Sequence, residues 1–241
     1  LALGSEVTIA GAALASAHII PEFYSRREFR PAWNDDDQVN EFVSLIGRAR
    51  EAGLDPDDYL YSELTGLVEK YRDARDDAVL RADVDVLLTE SLSRYGNHLI
   101  YGKVDPADLD ENWNWERGSD GRDPAALVQV AIDSDSIARF MADFLDRGPI
   151  YERVKAMLAR YRALQEAGGW PLIKAGATLK PGMDDERIAV VRLRLAATGD
   201  LPAEQDNGST VFDDELRLGV VAFQDRHRSE EHTSELQSPM Y

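Results

Sequence analysis

The sequence predicts a mainly α-helical protein. Apolar residues recur at helical spacing along most of the chain, as at Val39, Phe42, Val43 and Ile46, and runs that alternate apolar and polar residues are scarce. Gly and Pro stand where these periodic segments stop, which is where helices end. These features favour amphipathic helices joined by short loops over a sheet protein.

The capping residues place the helices along the chain. Asp37 is a potential N-cap of an early helix, and the longest helix runs from about residue 77 to 101 until Gly102 ends it. Pro124 stands at the first position of the next helix, with Asp123 as its cap. Further apolar stripes are expected to face a core: Leu64, Leu67, Val68, Tyr71; Val84, Leu87, Leu88, Ser91, Tyr95, Leu99; Ile137, Phe140, Met141, Phe144; Tyr151, Val154, Leu158, Tyr161.

The first stretch of the chain, residues 1–20, is apolar and rich in Ala. It lacks the cationic start of a signal peptide and contains Glu6 and His18. A first helix of the fold, or the remnant of one, is therefore predicted here. No stretch of the sequence is long and apolar enough to suggest a transmembrane segment.

A second, smaller unit is predicted after Pro181-Gly182. Two short helices carry its apolar stripes: Ile188, Val191, Leu195 and Leu216, Val220, Phe223. Gly199 ends the first of them. Because two short helices do not close a core, they require a further partner element, and none is predicted in the rest of this chain.

The composition excludes several classes of function. The chain has 45 acidic and 27 basic residues, a formal charge of −18. Such a protein repels phosphate backbones and anionic lipid, so neither nucleic acid nor bare membrane is an expected partner. The chain has no cysteine, which excludes disulfides, cysteine-ligated zinc and a thiolate nucleophile.

Paired carboxylates are the main alternative source of chemistry. The pairs are Asp35 and Asp37, Asp57 and Asp58, Asp76 and Asp77, Asp184 and Asp185, and Asp213 and Asp214. A general acid and base of the glycosidase kind would need two such groups. Nearly every pair precedes a predicted helix, so we favour N-capping and compensation of the helix dipole.

Metal and cofactor sites are not expected. The alternating Asp133 to Ser136 segment lacks the Gly and the distal Glu of a calcium loop. His98 lies beside an apolar stripe and is interpreted as a hydrogen-bonded core histidine. Trp33 and Trp170, each close to a Pro, are interpreted as structural.

Two groups of segments carry a resemblance to one known family. The first group is GGWPLIKAGATLKPGMDDERIAVVRLRLAATGDLP (168–202) and FDDELRLGVVAFQDRH (212–227), and the second is FYSRREFRPAW (23–33), EAGLDPDDY (51–59) and NHLIYGKVDP (97–106). The first group resembles the start of the peptidoglycan-binding module of the large Gram-negative L,D-transpeptidases, and the second resembles the helical scaffold domain of the same family. In that family a catalytic domain with a cysteine nucleophile follows these two parts.

The resemblance implies a helical scaffold domain followed by an incomplete three-helix peptidoglycan-binding module. The scaffold domain is assigned to residues 1–167, a connector to 168–182 and the truncated module to 183–227. Residues 228–241 resemble a translated sequencing adapter and are expected to be a non-native tail. Because the cysteine nucleophile is absent, no transpeptidase activity is expected of this chain.

The expected function is that of the non-catalytic front part of a murein L,D-transpeptidase. Such a part contributes scaffold and wall contact in the periplasm or cell envelope of a Gram-negative bacterium. Its expected partner is peptidoglycan, through stem peptides or glycan. The alternative is a helical interaction module that binds other wall-synthesis proteins, and a carboxylate enzyme is a further rival.

Contact with peptidoglycan is expected from two sets of residues. Arg192, Arg194 and Gln224 lie off the apolar stripes and could bind stem-peptide carboxylates, or could simply be solvated helix surface. Trp113 and Trp115 could stack on sugar rings, or could fill the scaffold core beneath a loop.

Overall fold

The computed structural model describes residues 7–16, 18–104, 121–144 and 148–227. The protein is mainly α-helical, as predicted. It divides into two compact units, Leu1–Ala156 and Met157–Tyr241. This division falls inside a helix, whereas the domain prediction placed the end of the scaffold at residue 167.

The described helices follow one another in a simple order. In chain order they are α1 (Ile19–Arg26), α2 (Asp36–Gly47), α3 (Tyr61–Asp73), α4 (Ala78–Tyr101), α5 (Pro124–Ile132), α6 (Ile137–Phe144), α7 (Gly148–Glu166), α8 (Glu186–Thr198) and α9 (Asp214–Arg226). Short 3₁₀ turns add Ala49–Ala52, Pro56–Tyr59 and Ala203–Gln205. The only described strands are β1 (Thr8–Ile9) and β2 (Ala12–Ala13).

The helix predicted for residues 1–20 is wrong where the structure describes that stretch. β1 and β2 form a small antiparallel hairpin, and a helix begins only at Ile19. Ala10 and Gly11 connect the strands with positive φ angles of 48° and 86°. Two consecutive positive φ angles match the twist of a tight hairpin and interrupt a helix, so the Ala-rich composition is overridden locally.

Helix α4 is the centre of the larger unit and contacts α1, α2, α3 and α5. All of its predicted inward residues are buried, and Gly102 ends it as expected. Asp85, Thr89 and Glu90 are buried as well, although their positions suggested a solvent-facing side. Apolar and aromatic neighbours surround α4 on more than one face, so it has no purely polar side.

Aspartates cap five of the described helices. Asp77 and Asp123 cap α4 and α5 as predicted, because each side chain accepts backbone N–H groups in the first turn. The cap of α2 is Asp35 rather than Asp37, whose N–H it accepts at 2.9 Å. Asp185 and Asp213 cap α8 and α9 in the same way. Capping therefore accounts for four of the five acidic pairs.

Helix α6 receives its N-terminal cap from a distant part of the sequence. The Glu41 carboxylate of α2 accepts the backbone N–H groups of Ile137 at 3.2 Å and Ala138 at 3.3 Å, and the Ser136 hydroxyl at 2.5 Å. A negative charge at this position also suits the helix dipole. This contact ties two helices of the larger unit together.

The stripe predicted for α7 is not part of a core. The helix forms, but none of its residues is buried, and Val154 is 60% exposed. Helix periodicity alone cannot report whether a neighbouring element covers the stripe.

The smaller unit has its own core between α8 and α9. Their predicted stripes are buried, and Gly199 ends α8 in the left-handed conformation. Irregular segments supply the remaining core residues Leu179, Leu201 and Phe212. The loop before α9 also pairs with the segment before α8. Gly182 of the connector donates its N–H to the Phe212 carbonyl, and Phe212 donates its N–H to the Met183 carbonyl, both at 2.8 Å. Among the described residues, these irregular segments complete the core against α8 and α9, whereas the sequence predicted no partner element for the two helices in this chain.

Candidate functional site

The buried Asp85 carboxylate of α4 is occupied by internal donors. It accepts the backbone N–H groups of Ala32 and Trp33, both at 2.9 Å, and the Tyr24 hydroxyl at 2.5 Å. Burial and the neighbouring carboxylate raise the pKa of Tyr24 above its usual value, so the phenol remains a donor at neutral pH. The indole N–H of Trp33 donates to Thr89 at 3.0 Å, which agrees with the structural role predicted for this tryptophan.

Glu90 forms a second buried anchor on the same helix. Its carboxylate accepts the N–H groups of Ala15 at 2.9 Å and Ser16 at 3.0 Å. Arg94 pairs with it at 2.8 Å and also donates to the Ala13 carbonyl. The Glu90 side chain is fully buried, so it offers no accessible acid or base. Neither buried carboxylate favours the carboxylate-enzyme alternative.

Arg192 does not face solvent as the sequence suggested. Its side chain is fully buried in the smaller unit, donates to the carbonyls of Gln205 at 3.1 Å and Val211 at 3.2 Å, and pairs with Asp213. The loop before α9 folds over this face of α8 and presents its carbonyl groups to the guanidinium. We therefore correct its assignment from a candidate contact residue to a buried structural arginine.

Arg194 lies instead on an exposed aromatic group. Its guanidinium lies 4.6 Å from the ring centroid of Trp170, and the ring centroids of Trp170 and Tyr161 are 6.1 Å apart in an edge-to-face arrangement. Trp170 is 39% exposed and Tyr161 is 41% exposed. We call these three residues the aromatic–arginine surface. It shows that Trp170 is only partly covered, whereas the sequence had suggested a purely structural residue.

Arg194 also differs electrostatically from its neighbours. The other arginines of α8 and α9 pair with carboxylates: Arg187 with Asp185, Arg192 with Asp213, Arg217 with Asp214 and Arg226 with Asp200. Within the described ranges, no carboxylate pairs with Arg194, and its buried Nε lacks a hydrogen-bond partner. Arg194 thus differs in this respect from the four other arginines of these two helices.

The structure gives less information about the remaining candidate residues. Gln224 lies on α9 and is partly buried. Trp113 and Trp115 lie outside the described residues. His98 accepts or donates a hydrogen bond through Nδ1 to the Tyr59 hydroxyl at 3.0 Å, which confirms the hydrogen-bonded histidine expected from the sequence.

The described residues contain neither a cluster of metal ligands nor a membrane-spanning helix. In the part of the chain that the structure describes, no group of three or more His, Asp or Glu side chains is arranged to hold a metal ion. Over the same residues, every helix is too short or too polar to cross a bilayer.

Sequence reasoning missed the aromatic–arginine surface because its members come from three segments. Tyr161 belongs to α7, Trp170 to the connector and Arg194 to α8. Each segment predicts only its own local structure. One signal was present in the sequence. Trp170 stands next to Pro171 in a connector otherwise rich in small residues, so this large aromatic side chain has no local core to fill.

Comparison with known proteins identifies one family. The sequence profile of the Scaffold domain matches residues 18–158, more than half of the 241 residues. A search of curated proteins finds no match to the chain.

Proposed function

Because the chain belongs to the Scaffold domain family, we propose that it is the non-catalytic front part of a murein L,D-transpeptidase. In this proposal the larger unit is the scaffold and the smaller unit contacts peptidoglycan in the periplasm of a Gram-negative bacterium. The 241 residues contain no cysteine and so supply no thiolate for acyl transfer. In this proposal the function of the chain is positioning and binding.

The aromatic–arginine surface is the observation that supports wall contact. Peptidoglycan presents sugar rings beside peptides that carry carboxylates. An exposed Trp170 ring offers an apolar face for a sugar, and Tyr161 extends it. Arg194 adds planar N–H donors that suit a carboxylate.

The missing counter-charge of Arg194 makes it the best partner for a stem-peptide carboxylate. A guanidinium already paired with an internal carboxylate would have to give up that pair before binding a new one. Arg194 has no such pair among the described residues, and stacking on Trp170 holds it in place. Binding therefore adds an ion pair without breaking one.

Co-sedimentation with purified sacculi tests this proposal. We expect the wild-type chain to pellet with sacculi and Arg194→Gln to reduce the association constant about fivefold, the loss of one partly exposed charge-assisted hydrogen bond. Trp170→Ala should give a loss of similar size. Added salt should weaken wild-type binding more than that of Arg194→Gln.

Arg217→Gln is the matched control, since Arg217 also lies on a helix of the smaller unit but already pairs with the exposed Asp214. It should bind like wild type, because exposed pairs contribute little. Circular dichroism melting should confirm that each variant is folded. Equal retention of Arg194→Gln and wild type would rule out this surface, and a wild-type chain that stays in the supernatant would refute wall contact.

A helical interaction module for other wall-synthesis proteins is the second candidate. Its support is a set of exposed apolar side chains on α8 and α9: Leu193 at 48%, Leu218 at 60% and Val221 at 36%. Exposed apolar groups on helices favour protein partners over glycans. Binding to envelope proteins that is lost in Leu218→Ser, together with no retention by sacculi, would favour this candidate.

A further inference from the structure

The larger unit contains a cavity that the proposed function does not use. It has a volume of about 390 Å³ and lies between α1, α5, α6 and the C-terminal half of α4. This volume falls within the range of pockets that bind small molecules, roughly 300–1,000 Å³. The described residues that line the cavity all belong to the larger unit.

The walls of the cavity are largely apolar. Ile19 of α1, Leu127 of α5 and the α6 residues Phe140, Met141 and Phe144 line it. These side chains would remove a chain of methylene groups from water, and each buried CH₂ adds to the affinity.

Small residues on α4 keep the space open. Ser93 and Gly96 face the cavity. A Cβ added at Gly96 would meet only the Met141 Cε, at the ordinary distance of 3.5 Å. Glycine in the middle of a helix is less favourable than alanine, and neither backbone conformation nor close packing requires it here. The open volume beside the helix is the evident result of this glycine.

The charge of the lining is the opposite of the charge of the chain. The protein has 45 acidic residues, yet none of the described lining residues is Asp or Glu. Arg122, at the exposed edge of the cavity, lies over the Phe144 ring at 5.0 Å. No carboxylate within the described ranges pairs with it. His18 is also exposed at this edge.

We propose that this cavity binds a single-chain amphiphile with an anionic carboxylate head, such as a long-chain fatty acid. The apolar tail lies between α4, α5 and α6, and the carboxylate accepts N–H groups of Arg122 at the edge. Absence of acidic groups removes the repulsion that such a head would meet over most of this protein's surface. Arg122 supplies a charge-assisted hydrogen bond and sets the orientation.

Binding of a fluorescent fatty acid, 11-(dansylamino)undecanoic acid, to the full chain tests the proposal. We expect saturable binding with one site per chain and displacement by dodecanoate. Gly96→Leu should weaken binding at least tenfold, because its side chain occupies the space of the tail. Gly66→Leu is the matched control, since Gly66 lies on α3 with no atom within 4 Å of its added Cβ.

The head group is tested by a second pair of variants. Arg122→Gln should weaken dodecanoate binding about fivefold and leave the affinity for dodecanol unchanged. Arg139→Gln, an exposed arginine of α6 outside the cavity, should alter neither. Equal loss of both ligands in Arg122→Gln would overturn the assignment of the head.

Folding is checked separately. Gly96→Leu raises helix propensity, so its melting temperature should not fall. If it does, Leu127→Trp narrows the cavity from α5 at a partly exposed position and replaces it in the test. The proposal would be refuted if the wild-type chain did not bind the probe. It would also be refuted if Gly96→Leu and Leu127→Trp both left probe binding unchanged.

Discussion

The two units bury charges of opposite sign for the same purpose. In the larger unit, the carboxylates of Asp85 and Glu90 on α4 accept backbone N–H groups from segments far away in the sequence. In the smaller unit, the guanidinium of Arg192 on α8 donates to backbone carbonyls of the loop before α9. In both units a central helix fixes irregular chain with a fully or nearly fully buried ion.

This difference shows that the sign of a buried charge determines which backbone groups it can bind. Segments 15–16 and 32–33 approach α4 with their N–H groups and require an acceptor. The loop before α9 approaches α8 with its carbonyls and requires a donor. Because buried backbone groups must be paired, each ion fixes the path of its segment as well as its position.

The largest expected effect is the loss of stability that follows replacement of a buried carboxylate. Asp85→Asn should lower the free energy of unfolding of the larger unit by about 3 kcal/mol, because an amide nitrogen would face N–H groups that now bind a carboxylate oxygen. Urea unfolding followed by circular dichroism measures this change. Asp83→Asn, on the same helix but only partly buried, is the control and should have little effect. If Asp85→Asn and Asp83→Asn had the same free energy of unfolding, the buried Asp85 carboxylate would not stabilise the larger unit in the way described.

A smaller effect is expected for the buried cation. Arg192→Met keeps the length of the side chain but leaves the Gln205 and Val211 carbonyls without their donor. The smaller unit should lose about 2 kcal/mol, less than after Asp85→Asn because the released Asp213 is 36% exposed and can be hydrated. Hydrogen exchange of amides 209–212 should accelerate in this variant and not in Arg217→Met. Unchanged exchange would mean that Arg192 does not fix the loop.

The smallest effect is a pH dependence of the stability of the smaller unit. Hydrogen bonds from the Arg187 side chain and backbone N–H lower the pKa of Asp185 from 3.8 to about 2. The Arg192 guanidinium lowers the pKa of Asp213 in the same direction. A carboxyl with a depressed folded pKa stabilises the fold above its unfolded pKa, and this stabilisation is lost as the pH falls through the folded value.

The stability of the smaller unit should therefore decrease as the pH is lowered from about 4 towards 2. Asp185→Asn should flatten this decrease and lower the stability at neutral pH. Unfolding curves measured at several pH values would show it, and identical slopes for wild type and Asp185→Asn would contradict the role of this carboxylate.

Local features of the sequence predicted the fold well. The apolar stripes and the caps placed the helices, since both depend on residues within one or two turns. Asp77, Pro124 and Gly102 mark boundaries by their own chemistry, whatever packs around them. The short hairpin at residues 8–13 was missed because two positive φ angles at Ala10 and Gly11 outweigh the helix propensity of alanine.

The candidate site was less accessible to sequence reasoning. Arg192 and Arg194 are two positions apart on α8, yet one is buried and the other lies on Trp170. Which of them faces solvent depends on the loop that covers α8, and that loop has no periodic pattern. The burial of Asp85 and Glu90 was equally difficult to predict from the sequence, because a charged residue in a helix usually indicates a solvated face.

The cap that α2 provides for α6 also bears on the order in which the chain folds. Helix α6 has only eight residues, too few to persist alone in water. Its first turn is completed by Glu41, whose hydrogen bonds to Ser136 and Ala138 span 95 and 97 residues of sequence. This helix is therefore a late-forming element whose amides become protected only when the two ends of that long loop have met, so it opens with the whole unit rather than by fraying.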